Sequence, residues 1–416
     1  MSASPGPGAA RSPGVMRQMN AALILKVIRE HGPLARAQIA AATGLSKPTV
    51  NGVVDTLVSA AYVSEADEGP GRPRRPGPRP RLLTFRADVG HVLGIDVGAD
   101  KALVMVADLT GAVVASERRA VSAQARLGHP AMLRELRAAT AAALQAAGIE
   151  LESVVAAGVG TPGVIEPGSG RIALAPQLEG WEGLELGDEL ERALGCPVAV
   201  DNETNLSLLA ELAQGAARGA GDVLYVQAGV GIGGALSFGG RLHRGSSGAA
   251  GEIGYLVSRE ESDAPEFGSG PFEWEAGGRA YARLGATLAR QPGGSVLREL
   301  AGGDPDTVTA ETVFAAVARG DRAATDLAQT LAERLGRGIA SAVIVLDPEV
   351  VILGGGLANA GGVLLDPVRD TIAALVPRAP RVVLSALGDE SVATGAVRLA
   401  LDRAEQRLFR FDDAIP

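Results

Sequence analysis

The chain has one cysteine, Cys196, in 416 residues. That excludes an internal disulfide framework and a zinc site built from cysteines, and the expected compartment is the cytoplasm. There is no apolar run long enough to span a bilayer. The Ser-, Pro-, Gly- and Ala-rich start from Ser2 to Pro13 lacks the apolar stretch of a signal peptide, and residues 1–16 are expected to form a disordered tail. Lysine is nearly missing as well: Lys26, Lys47 and Lys101 are the only three, so almost all positive charge is arginine. With Ala and Gly so abundant, this reads first as a coding bias of the source genome. A chain of this length has room for two or three domains and a generous core.

Charge is unevenly spread. From Met1 to Gly90 there are 12 Lys and Arg against 6 Asp and Glu, net +6. Subtracted from the whole-chain totals of 39 and 48, these leave 27 against 42 for the remainder, net −15. A basic head on an acidic body suggests a nucleic-acid-binding module attached to a body with a different task.

The head, residues 17–88, carries a helical face of Leu23, Ile24, Val27 and Ile28, ended by Gly32-Pro33. A second short helix holds Ala37, Ile39, Ala40 and Ala41. After the turn Thr43-Gly44-Leu45, Ser46 is placed to cap a third helix with Pro48 in its first turn. There Val50, Val53, Val54 and Leu57 repeat at i, i+3, i+4 and i+7, which leaves Lys47, Thr49 and Asn51 on the outer side. This is helix-turn-helix organisation, whose third helix enters the major groove, where Asn51 can pair bidentately with adenine. Tyr62-Val63-Ser64 and Leu82 to Phe85 read as paired strands. Between them lies a Pro- and Gly-rich tip with Arg72, Arg74, Arg75, Arg79 and Arg81 and no acid. A solvated linker needs no such charge, whereas a wing touching phosphates or a minor groove does.

From residue 89 to 416 strands alternate with helices. Val92 to Gly98 is a strand breaking into a turn, with a return over Leu103 to Ala107 and a third strand over Ala112 to Ser116. A helix over Pro130 to Ala147 and a strand over Val154 to Val159 follow. The same opening recurs from Leu224 to Leu242, which suggests two similar lobes with a cleft between them. Val198-Ala199-Val200 runs into Asp201-Asn202-Glu203-Thr204-Asn205 and then a helix with Leu206, Leu208, Leu209 and Leu212. An ordinary helix cap and a polyol site both fit those polar residues.

Six motifs in order carry a family likeness: Gly94-Ile95-Asp96-Val97-Gly98, Gly158-Val159-Gly160-Thr161-Pro162-Gly163, Asp201 to Asn205, Gly229-Val230-Gly231-Ile232-Gly233-Gly234, Gly251-Glu252-Ile253-Gly254-Tyr255 and Gly354-Gly355-Gly356-Leu357. With them the body resembles the ROK family of repressors, open reading frames and sugar kinases, on a two-lobed actin-like sugar-kinase fold of α/β class. With its winged helix-turn-helix the whole resembles the regulator branch. The resemblance implies that the loops at Gly98 and at Gly229, Gly231 and Gly233 are nucleotide-like phosphate hairpins, that Asp96 supports a metal on that nucleotide and that Gly355 lies on the adenosine side. It implies that Asn202, Glu252 and Glu275 meet sugar hydroxyls, with Glu203 and Tyr255 completing the effector set.

Three departures from the pattern bear on activity. Glu203 stands where the kinases have an aspartate base, and an added methylene displaces the carboxylate by on the order of 1 Å. The three zinc cysteines are replaced by Glu266, Gly268 and Glu273, and the family histidine by Tyr255. Val230 and Ala99-Asp100 also weaken the phosphate loops. The resemblance thus implies an inactive kinase fold used as a sugar-responsive regulator, a repressor of carbohydrate genes, with operator DNA and a sugar or sugar-phosphate effector as partners, no cofactor and no metal. Paired heads imply a homodimer or homotetramer. The helix from Ala323 to Leu346 offers an interface, though burial in its own lobe fits its apolar spacing better. The competing reading is an active ATP-dependent sugar kinase with an appended DNA-binding head.

Overall fold

The computed structural model describes residues 13–67, 81–98, 101–121, 128–176, 178, 180–257 and 270–408. In the head, α1 (Pro13–His31), β1 (Leu34–Ala35), α2 (Arg36–Thr43), α3 (Lys47–Ser59), β2 (Val63–Asp67) and β3 (Arg81–Phe85) follow in order. Helix α1 starts at Pro13, inside the stretch expected to be a tail. Its buried face of Ala21, Ile24, Leu25 and Ile28 supports turns further upstream, where the composition shows no apolar period. Val50, Val54 and Leu57 of α3 pack at 0% exposure with Ile39 of α2 and Leu83 of β3. The small sheet runs β1-β3-β2, all antiparallel. The arginines at 72, 74, 75 and 79 lie outside the described residues.

The body repeats one plan. In the first lobe β4 (His91–Val97), β5 (Lys101–Asp108) and β6 (Val113–Ala120) form an antiparallel meander, followed by α4 (His129–Ala147). Then come β7 (Val154–Thr161), the hairpin β8 (Val164–Ile165) with β9 (Ile172–Leu174), α5 (Leu186–Leu194) and β10 (Val198–Asn202), giving the order β10-β7-β4-β5-β6. Helix α6 (Glu203–Gln214) leads to the second lobe, where β11 (Val223–Ala228), β12 (Ile232–Phe238) and β13 (Arg241–His243) form another meander. Helices α7 (Pro271–Ala276), α8 (Gly278–Ala289), α9 (Ser295–Leu300), α10 (Ala310–Ala318) and α11 (Arg322–Leu346) precede β14 (Val350–Gly354), α12 (Gly362–Leu375) and β15 (Arg381–Leu384). The order β13-β12-β11-β14-β15 matches the first sheet strand for strand, with two parallel strands added beside the first strand of the meander. On α11, Leu331, Leu335, Ile339 and Val343 are buried in the second lobe's own core, and Ile344 and Val345 at its C-terminal end are exposed.

The last helix, α13 (Ser391–Leu408), crosses back to cover the face of the first sheet opposite α4. It can lie so close because the strands offer no side chain at its points of closest approach, Gly94 and Gly158. Gly94 and Gly158 are partners across the parallel pair β4 and β7. A Cβ on Gly158 would stand 2.1 Å from the Ala396 carbonyl oxygen, and one on Gly94 would stand 2.4 Å from that of Ala393. Both neighbours are helix backbone, so neither can move without moving α13. Val397, Ala400 and Leu401 then fill the space against Val92, Leu103 and Ala156.

The same helix meets the head. Leu401 and Ala404 line a small pocket together with Leu25 and Ala22 of α1, Tyr62 and Phe85, and Arg29 pairs with Glu405. The Leu109 N–H also donates to the Ala87 carbonyl at 3.2 Å. At its other end α13 is held to α6 by the Ser207 and Ser391 hydroxyls, 3.0 Å apart. Beside them, fully buried Glu211 accepts from the Ser385 hydroxyl at 2.6 Å and from the backbone N–H groups of Ala216, Ala386 and Leu387. We expect Gly158→Ala to cost about 3 kcal/mol or more, because overpacking against backbone has no cheap relief. Chemical denaturation would measure this, and a loss below 1 kcal/mol would show that α13 can shift.

Candidate functional site

A cleft of about 580 Å³ opens between the lobes. Asn202, Glu203 and Thr204 form part of its first-lobe wall at the junction of β10 and α6. Asn202 is the helix cap and also lines the cleft. Its Oδ1 caps α6 by accepting from Thr204 N at 2.8 Å and Asn205 N at 3.3 Å, and its Nδ2 donates to the Gly163 carbonyl at 2.7 Å while the residue lines the cleft. One amide hydrogen therefore remains for a ligand. Asp201 turns away from it. At 3% exposure its carboxylate accepts from Asn205 Nδ2 at 2.9 Å and from Arg244 Nε and Nη2 at 2.8 and 2.5 Å. Both guanidinium donors meet the one oxygen Oδ2, and because Arg244 follows β13 this pair ties the two lobes together.

Carboxylates dominate the interior. Glu203 is pushed up to about 7, first by burial and then by Asp96 and Glu252, with Lys101 acting the other way. Burial and the nearby Glu273 raise Glu252 as well. Glu273 lines the cleft, and Glu275, two residues further along α7, does not. Two residues along a helix lie about 200° apart around its axis, so α7 cannot present both to one side. Glu273 Oε2 accepts from Ile232 N at 3.0 Å and lies against Gly231. Tyr255 lines the mouth at 47% exposure, and its phenol is raised by burial, Glu252 and Glu273.

Gly229, Gly231 and Gly233 also line this cleft, whereas Asp96, Gly98 and Gly355 do not. Asp96 is 2% exposed, its Oδ2 has no hydrogen-bond partner, and burial pushes it up to about 6. Lys101 Nζ stands 4.0 Å from it and 3.8 Å from Asp389, which also pairs with Arg118. Gly98 N donates to the Lys101 carbonyl across the hairpin end, and Gly355 turns at φ +83° against Ala228. Among the described residues no three His, Cys, Asp or Glu side chains converge to hold a metal ion. Of the positions that carry zinc cysteines in the resemblance, 266 and 268 lie outside those residues.

On the head, Lys47 and Asn51 are exposed on α3. Thr49 is half-buried, its hydroxyl 2.8 Å from that of Ser46. Arg36 straps α3 from below, pairing with Asp55 at 2.8 Å and donating to the Asn51 carbonyl at 3.4 Å.

Sequence reasoning missed Arg244, Lys101, Glu211 and Glu273. Lys101 carried a signal, being one of three lysines and just past the Asp96 strand. Glu211 carried one too, as a charge within the leucine stripe of α6. Arg244 had none.

A ROK family model matches residues 92–403, and a MarR family model matches residues 17–73. The xylose repressor of Caldicellulosiruptor bescii is 30% identical over 361 residues, which is 86% of this chain and 88% of that protein. A Streptomyces griseus ROK family glucokinase solved with glucose and AMPPNP is 29% identical with a TM-score of 0.67, over 75% of this chain and all of that one. A ROK family transcriptional regulator described as a homologue of the E. coli MLC protein shares the fold over 95% of this chain and 97% of its own, with a TM-score of 0.74 at 23% identity.

The buried acids give a pH dependence of known sign. An acid raised by folding favours the protonated native state. The stability from Glu203 is complete below its usual 4.5 and is lost as pH rises through about 7, and Asp96 acts likewise through about 6. The melting temperature of the ligand-free protein should fall between pH 5 and 8. In Glu203→Gln, which cannot ionise, the fall should be shallower and the protein should melt above wild type at pH 8. An unchanged slope would remove Glu203 as a titrating group.

Proposed function

Because the chain belongs to the ROK family and carries a MarR-type winged head, we propose that it is a sequence-specific DNA-binding regulator. It acts as a repressor whose hold on operator DNA is set by a sugar or sugar derivative in the interlobe cleft. The observation that carries this reading is the continuity of α13, whose first turn adjoins the cleft helix α6 and whose far end is a seat for the head. Relationship to a xylose repressor supports repression and a sugar effector. The exposed Lys47 and Asn51 on α3 suit phosphate and base contacts respectively.

Closure of the lobes on a polyol moves α6 against α13 and so tilts the head. Two heads held in one oligomer then no longer match the spacing of paired half-sites. The reading contains no catalytic step. Glu203 occupies the place of a catalytic aspartate, and Asp96, which would support a nucleotide's metal, has Lys101 Nζ 4.0 Å away. That ammonium already supplies positive charge where a metal would act. Among the described residues no helix is long and apolar enough to cross a membrane, in keeping with a protein that works on cytoplasmic DNA.

Fluorescence anisotropy on DNA from upstream of its own gene, at two salt concentrations and with a sugar panel, tests this. Specific binding weakened by one sugar is expected. Asn51→Ala should weaken specific binding about tenfold or more and leave non-specific binding unchanged, whereas Lys47→Ala should flatten the salt dependence. Absence of any sequence preference would overturn the reading, and ATP consumption with a sugar would favour the kinase.

A further inference from the structure

The cleft has two chemistries. Its interior is polar, with Asn202, Glu203, Gln227 and Glu252 available to hydroxyl groups. Its mouth is not. From the first lobe come Leu174 and Pro176, beside the β8–β9 hairpin, and from the second come Val230 and Tyr255. Leu174 is 39% exposed, Tyr255 47% and Val230 65%. Three exposed side chains that are largely apolar thus line one polar cleft.

We infer that the effector is a glycoside of two rings, a disaccharide, whose first ring binds the polar interior and whose second ring sits between Leu174 and Pro176 on one side and Tyr255 and Val230 on the other. A pyranose has a C–H face and a rim of hydroxyls. Its face suits a tyrosine ring and a leucine side chain, and its rim stays in water at an open mouth. Size points the same way. A cleft of about 580 Å³ lies within the range of roughly 300–1,000 Å³ that encloses drug-sized ligands, and it leaves a single pyranose of roughly a dozen non-hydrogen atoms with most of the space unfilled. A tyrosine at 255 is thereby a choice of ligand: a flat apolar ring at the mouth where the family resemblance has a histidine.

The inference rests on the sugar-regulator reading and sharpens it to a ligand class. The full-length protein on operator DNA is titrated with xylose against xylobiose and with glucose against cellobiose, and binding of each sugar is followed by calorimetry. In one pair the disaccharide should release DNA at a concentration at least about tenfold below its monosaccharide, equivalent to about 1.4 kcal/mol. Tyr255→Ala and Leu174→Asn, checked for wild-type melting temperature and wild-type DNA binding without sugar, should each shrink that ratio to about threefold or less. A monosaccharide acting at equal or lower concentration than its disaccharide overturns the inference and leaves the regulator reading standing. So does a disaccharide preference that neither variant alters. If no sugar binds and none changes DNA binding, the regulator reading falls and the inference falls with it.

Discussion

The contact on which the rest of the molecule depends is the bare meeting of helix backbone and strand backbone at Gly94 and Gly158. With no side chains between them, α13 lies directly on β4 and β7, its carbonyls at distances no Cβ would tolerate. That close fit covers one face of the first sheet and brings Ser391 to α6. It also fixes where Leu401, Ala404 and Glu405 stand to receive the head. Close-packed interiors transmit displacement instead of absorbing it, so a helix seated in this way behaves as one rigid lever.

The cleft uses charge in two ways. Asp201 is structural: its Oδ2 takes two donors from Arg244 across the lobes and its Oδ1 takes Asn202 N and Asn205 Nδ2. Glu203 and Glu252 have no comparable cation, and burial keeps them reluctant to ionise. Asp201, near the end of β10, thus turns to Arg244, while Glu203, at the start of α6, turns to the cleft.

Much of this was legible beforehand, where a pattern repeats over many residues. The valine spacing of α3, the cap at Ser46 and the doubled strand-turn-strand opening each have a periodicity that only one arrangement satisfies. The two sheets do share their strand order. What escaped depended on phase or on distant partners. Motif matching brought Glu275 forward, while the turn of α7 puts Glu273 toward the cleft. Gly94 and Gly158 look like ordinary members of glycine motifs, and nothing nearby in sequence announces that a helix about 300 and 240 residues later, respectively, rests on them. The early start of α1 escaped for a related reason, since its stability comes from burial and not from composition.

The position of α13 after everything it organises has a consequence for how the protein is made. Synthesis delivers the head first and its seat last. Until α13 emerges, Val92 and Leu103 of the first sheet lack the helix that packs over them. A chain broken off after β15 would still carry the reading helix and both walls of the cleft. It would have lost the element that joins the head to the cleft.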